Sequence, residues 1–229
     1  MSRLAVIWSG PASDTLDTIK LPAGTIRLKV PCKGSAGCRA ELDQALALVA
    51  GLPTGTTLIA VGFSAGHGLN DEFLAKANPD AYVALDSYYA EGTPPSVLSY
   101  AQRAASGQRW MVTTTSDPAG ATWRTCEQAI QPLLKQLSLG HVSMPAGIEK
   151  IVNASALGRG QYLHLPYAGR YVHEDHARVL GPIIIPWVAE KLAKGESGGW
   201  TAMIVTTLAF VSAVLLGLCV KWLPKRTSR

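Results

Sequence analysis

The chain has 229 residues and a formal net charge of +5, enough for one domain with a real core but too few for two beside its very apolar C-terminal segment. Four of the positive charges, Lys221, Lys225, Arg226 and Arg229, follow that segment, so the domain itself is near neutral. It has no basic stripe and no interleaving of aromatic and basic residues, so nucleic-acid binding is not expected.

Taken in chain order, the first residues have a basic start, but the apolar run that follows is too short for a secretory signal and reads as a strand. Strand-like runs recur at 4–8, 25–30, 57–62, 81–86, 109–115 and 161–165. Helical or loop segments separate them, and this alternation predicts an α/β fold. Residues 37–50 carry Leu42, Ala45, Leu46 and Val49 at helical spacing and stop at Gly51. A second helix is expected over 67–77, ending before Asn78-Pro79. Over 122–138, Cys126, Ile130, Leu133, Leu134 and Leu137 form one stripe, with a kink allowed at Pro132. A last helix spans 174–194, bent or broken by Pro182 and Pro186. No internal repeat or low-complexity tract is present.

Cys32 and Cys38 flank a loop flexible enough to close a disulfide in an oxidising environment, but they read as two free thiols. Cys126 and Cys219 read as packing residues. No spacing resembles a zinc site, so no metal is expected.

Residues 1–194 form the expected domain, 195–199 a flexible spacer, 200–220 a transmembrane helix and 221–229 a basic tail. The segment 200–220 contains no charged residue. At about 1.5 Å per residue it spans roughly 30 Å, the thickness of a bilayer core. Trp200 and Trp222 stand where interfacial aromatics belong. The basic tail favours the cytoplasmic side for itself, whereas the N-terminus has no export signal, so the two cues to orientation conflict. A tail-anchored protein with its domain in the cytoplasm is the simpler arrangement. Ala202, Ala209, Ser212, Ala213 and Gly217 would permit helix pairing and a homo-oligomer.

The most informative motif is Gly62-Phe63-Ser64-Ala65-Gly66, at the end of a β-branched apolar run and ahead of a helix. Such a strand-turn-helix projects a serine hydroxyl above a parallel sheet, as a nucleophile elbow does. A serine is a poor nucleophile at neutral pH and needs a histidine base oriented by an acid. Asp86 ends one apolar strand and Asp117 follows another. Both fit the acid role, Asp86 ahead, and each could instead be a turn or cap residue. His176 is the leading base and His173 the runner-up, since a glycine-bearing loop runs through both into a helix start. His-Glu-Asp-His at 173–176 lacks a third ligand for a metal. His67 reads as a helix residue, and His141 as a surface one. Ala65 would supply one oxyanion N–H, and Ser9 or Gly10, after the first strand, the other.

These features together resemble the α/β-hydrolase fold, as a small serine esterase or lipase-like member, on G-F-S-A-G at 62–66, L-D at 85–86 and H-E-D-H-A-R-V at 173–179. The resemblance covers residues 1 to about 194. It implies a three-layer sandwich on a mostly parallel sheet of about six strands, beginning at that fold's third strand and short of a lid. Trp8-Ser9-Gly10 stands in place of the usual His-Gly oxyanion motif. The implied activity is hydrolysis of a carboxylic ester, whether lipid, thioester or envelope ester, through an acyl-enzyme on Ser64 with His176 as base and Asp86 as orienting acid. No cofactor is implied. The expected partners are a small ester or lipid substrate and the bilayer through 200–220. A different class of reading is an inactive hydrolase scaffold with a structural role in an envelope complex or virion membrane. A lysis-associated enzyme attacking envelope esters would differ from the first only in its substrate.

Overall fold

A computed structural model describes residues 3–88, 94–116, 126–151, 156–166 and 172–195. The expected anchor at 200–220, residues 196–199 of its spacer, the tail, Cys219 and Asp117 lie outside the described residues. Among the described residues no helix is long and apolar enough to cross a membrane.

The chain alternates strands and helices. Strand β1 (Leu4–Ser9) leads through α1 (Thr15–Thr18) to β2 (Ile26–Val30). Helices α2 (Gly34–Ala40) and α3 (Leu42–Ala50) precede β3 (Thr57–Phe63), and a 3-10 turn at Ser64–Gly66 opens α4 (His67–Ala77). Then come β4 (Ala81–Leu85), α5 (Pro95–Ala105), β5 (Trp110–Thr114) and α6 (Cys126–Leu137). Short strands β6 (Gly140–Val142) and β7 (Ala156–Arg159) precede β8 (Tyr162–Leu165). The last helical stretch begins as one turn, α7 (His173–Asp175), passes through a π segment (His176–Leu180), and continues as α8 (Gly181–Ala193).

All eight strands join one sheet in the order β2-β1-β3-β4-β5-β8-β7-β6. The first six of that order are parallel, and β7 and β6 add an antiparallel edge. The six parallel strands correspond to the six runs read from the sequence. The two extra strands enlarge the expected sheet to eight, and the expected helix 37–50 divides at Glu41 into α2 and α3.

Period-2 alternation sends side chains to opposite faces of each strand, so two apolar layers result. Ala5, Ile7, Leu58, Ala60, Tyr82 and Met111 pack with Leu42, Phe73, Tyr100 and Ile130 from α3 to α6. On the other face Val6, Trp8, Ile59, Val61, Val83 and Val112 pack with Leu16 of α1 and Leu180, Ile184 and Val188 of the last helical stretch. Each such buried aliphatic or aromatic side chain contributes about 1.5–3 kcal/mol. Pro186 lies inside α8 and Pro132 inside α6, and both helices continue through them. Burial of one face of each helix outweighs the lost backbone hydrogen bond.

Cys32 and Cys38 form a disulfide, with Cα atoms 4.9 Å apart; this corrects the reading of two free thiols. Seven-residue α2 has no side-chain N-cap, and the bond ties it into the apolar layer beside α4 and the turn at Ser64–Gly66.

Candidate functional site

In an open parallel sheet the crevice lies at the carboxyl ends of the strands, where chain order reverses direction across the sheet. Here that point falls between β1 and β3, since β2 lies to one side of β1 and β3 to the other. The register aligns Ser9 with Gly62, Phe63 with Leu85, Leu85 with Thr114 and Thr114 with Leu165. The residues that follow β3, β4, β5 and β8 therefore emerge along one edge.

Ser64 is the first of them. Its φ is +53°, a left-handed conformation that is uncommon for a residue with a Cβ and that the surroundings must enforce. Phe63 is still extended and His67 already helical, so the whole reversal is made at Ser64–Gly66. The motif glycines are required by close approach. A Cβ on Gly62 would lie 2.2 Å from the Asn70 side-chain amide, and one on Gly66 would lie 2.4 Å from the Ser9 carbonyl oxygen. Ser87 Oγ donates to the Ser64 carbonyl at 3.0 Å and bridges this turn to the end of β4.

Gly10, with φ +109°, completes the contact from the β1 side, and a Cβ there would stand 2.1 Å from the Phe63 carbonyl oxygen. Gly10→Ala is expected to destabilise the protein by about 3 kcal/mol or more, because backbone must move and the residue is strained. Gly24→Ala, at φ +80° with no atom within 4 Å of the new Cβ, should cost only about 1 kcal/mol. Thermal unfolding of the two variants checks the difference. Equal costs would show that the Gly10 contact is not fixed.

Asp86 follows β4 with φ +42° and is 1% exposed. Its N–H donates to the Thr114 carbonyl at 3.0 Å and to Thr114 Oγ1 at 3.2 Å, which holds the unusual backbone angle. The carboxylate accepts the Ser116 N–H at 2.8 Å, the Ser116 hydroxyl, and His173 Nδ1 at 2.6 Å. Burial would raise its pKa. The hydrogen bonds from His173 and Ser116 and the nearby His176 together override burial and hold the pKa at about 2. An ionised carboxylate only accepts, so His173 carries its proton on Nδ1 and Nε2 is the basic nitrogen of the neutral ring. The His173 ring stacks on Phe63, centroids 4.8 Å apart, which sets the imidazole beside the residue that precedes Ser64.

The sequence put His176 ahead of His173; the structure brings His173, and not His176, into hydrogen bond with Asp86. The helical stretch begins at residue 173, so His173 stands at the rim with a third of its side chain exposed. His176 lies in the π segment, fully buried. His176 Nδ1 lies 2.7 Å from Thr114 Oγ1. The same hydroxyl oxygen accepts from the Asp86 N–H. Nε2 is buried and has no hydrogen-bond partner among the described residues. Burial first, and His173 after it, lower the His176 pKa to about 4 against the pull of Asp86, so the ring is neutral at neutral pH.

The oxyanion expectations divide. Ala65 sits in the 3-10 turn directly after Ser64. Gly10 N–H donates to Val30 O at 3.2 Å, and Ser9 Oγ donates to Val61 O at 3.1 Å. The Gly10 N–H is thus spent within the fold, and the Ser9 hydroxyl ties β1 to β3. His67 is the first residue of α4, with Nδ1 3.3 Å from Ser64 O. His141 is exposed on β6.

Sequence reasoning missed Ser87, Thr114 and Ser116, the residues that hold the serine turn and the aspartate. The only signal was their position at or just past the ends of apolar strands. It also missed a second buried set, in which His164 Nδ1 meets Thr113 Oγ1 at 2.9 Å while its Nε2 lies 3.4 Å from Glu127. Glu127 accepts from the Thr115 hydroxyl. Among the described residues, no group of three or more metal-ligating side chains occurs.

No family model matches the chain, and no curated protein matches it. Among solved structures it is similar to that of the lin2722 gene product of Listeria innocua, at 12% identity and a TM-score of 0.47, over 81% of this chain and 93% of that one.

Proposed function

We propose that this chain is a serine hydrolase of the α/β-hydrolase type that cleaves a carboxylic ester through an acyl-enzyme on Ser64. The observation that carries the proposal is the convergence of three features on one sheet edge: Ser64 at φ +53°, Asp86 paired with His173 at 2.6 Å, and the His173 ring stacked beside the serine turn. The six parallel strands, with the chain order reversing between β1 and β3, suit that fold.

In this mechanism His173 Nε2 takes the Ser64 hydroxyl proton as Oγ bonds to the ester carbonyl carbon, and Asp86 stabilises the imidazolium through Nδ1–H. The Ala65 N–H faces the developing oxyanion. Collapse of the tetrahedral adduct breaks the ester bond, and the alcohol leaves with the proton from His173. Water then repeats the sequence on the acyl-enzyme and releases the acid. Ester rather than amide rests on the family resemblance. We place the anchor at 200–220 on sequence grounds, and the Cys32–Cys38 bond favours a domain on an oxidising side of that membrane.

Ser64→Ala should abolish hydrolysis of short p-nitrophenyl esters while circular dichroism stays unchanged. Turnover equal to that of the parent would refute the proposal. One observation favours the inactive-scaffold reading: Gly10 N–H is committed to Val30, so the second oxyanion donor must come from elsewhere. A folded parent protein inert towards all esters and serine-directed reagents would support that reading.

A further inference from the structure

The opposite edge of the sheet carries a cavity of about 230 Å³ that the proposed chemistry does not use. Its wall is built from residues directly preceding three adjacent parallel strands: Asp80 before β4, Arg109 before β5 and Gln161 before β8. Trp110, Lys191 of α8 and Gly195 just beyond that helix close it. Two cations thus face one carboxylate. Asp80 is only partly available to them, because its Oδ2 accepts the Leu58 N–H at 3.0 Å and its Oδ1 lies 3.8 Å from Arg109 Nη1, beyond hydrogen-bond distance. Among the described residues the Arg109 guanidinium makes one long hydrogen bond, from Nη1 to Gln108 O at 3.3 Å, and its Nε has no partner. A planar guanidinium offers five donors in a fork that matches the oxygens of phosphate or carboxylate. Here most of that fork is unused in a concave site, with the Lys191 ammonium as a second charge.

We propose that this cavity binds a phosphate group, gripped by Arg109 and Lys191. Gly195 lines the cavity and the uncharged stretch 200–220 follows shortly after it in the sequence. A phospholipid headgroup and a free phosphate ester are therefore the two sources to separate. The site is independent of Ser64, which stands at the other edge of the sheet.

The test uses the full chain in detergent micelles, titrated with inorganic phosphate by calorimetry and with phosphatidylglycerol by native mass spectrometry; diacylglycerol, which lacks phosphate, is the control. Arg109→Ala should weaken binding on the order of tenfold or more, and Asp80→Asn, which keeps an acceptor for Leu58 but removes the competing charge, should tighten it. Circular dichroism establishes that both variants fold. Binding of phosphatidylglycerol alone identifies a headgroup as the source, and binding of inorganic phosphate identifies a soluble ester; either supports the site. No binding of either probe, or binding indifferent to Arg109→Ala, overturns it.

Discussion

Replacing His173 by alanine is expected to lower ester turnover by roughly four orders of magnitude, while His176→Phe leaves turnover of the folded protein within the same order as the parent. His173 Nδ1 is held by Asp86 at 2.6 Å and its ring stacks on Phe63, so its loss removes the proposed base and leaves the carboxylate only its Ser116 hydrogen bonds. His176 meets Thr114 instead and is fully buried. Phenylalanine fills most of its volume, and the Thr114 hydroxyl still accepts from the Asp86 N–H. The expected cost of His176→Phe is about 1–3 kcal/mol of stability, from the lost hydrogen bond and imperfect packing. Steady-state kinetics on both variants, corrected for folded fraction, decides between the two histidines. A collapse of turnover in His176→Phe alone would return the base role to residue 176.

Stability should fall by several kcal/mol as the pH drops from 7 to 2, in two windows. His176 has a folded pKa near 4 against an ordinary 6.5. Between these values the unfolded chain binds more protons than the folded one, so stability is full above about 6.5 and declines down to about 4. The loss is roughly 3 kcal/mol. Asp86, at about 2 against 3.8, acts in the same direction lower down. Its contribution is present above about 4 and is lost as the pH falls to about 2, a further roughly 2 kcal/mol. Glu127, whose carboxyl is pulled down by His164 against the effect of burial, adds to the acid limb. Urea unfolding at pH 7, 4 and 2 measures these losses. His176→Phe should flatten the upper window and leave the lower one, and an unchanged slope in that variant would assign the upper window to another group.

Much of the scaffold was legible because its signals are local. Six apolar runs bounded by turns became the six parallel strands, and the Gly-x-Ser-x-Gly spacing located a sharp reversal with Ser64 at its centre. Helix α5 escaped notice although Val97, Tyr100, Ala101 and Ala104 are buried at helical spacing. Strands β6 and β7 are short and take their conformation from pairing, β7 with β8 and β6 with β7, rather than from their own residues. The order of His173 and His176 was not legible at all. Two histidines three residues apart carry the same local signal, and which one reaches Asp86 depends on where the helix starts and on the π segment that buries the second. The engagement of the Gly10 N–H was likewise set at a distance, by the Val30 carbonyl on a neighbouring strand. The cysteine pair was readable as a possibility, but its closure required the packing of α2 on the core.

The proposed chemistry requires Ser64 to be an activated nucleophile served by His173. Full-length protein treated with a fluorophosphonate and digested for mass spectrometry measures this directly. The expected result is a single adduct on Ser64 that is retained in His176→Phe and lost in His173→Ala. A folded protein that takes up no label, or an adduct on Ser64 that forms equally fast without His173, would contradict the proposed chemistry.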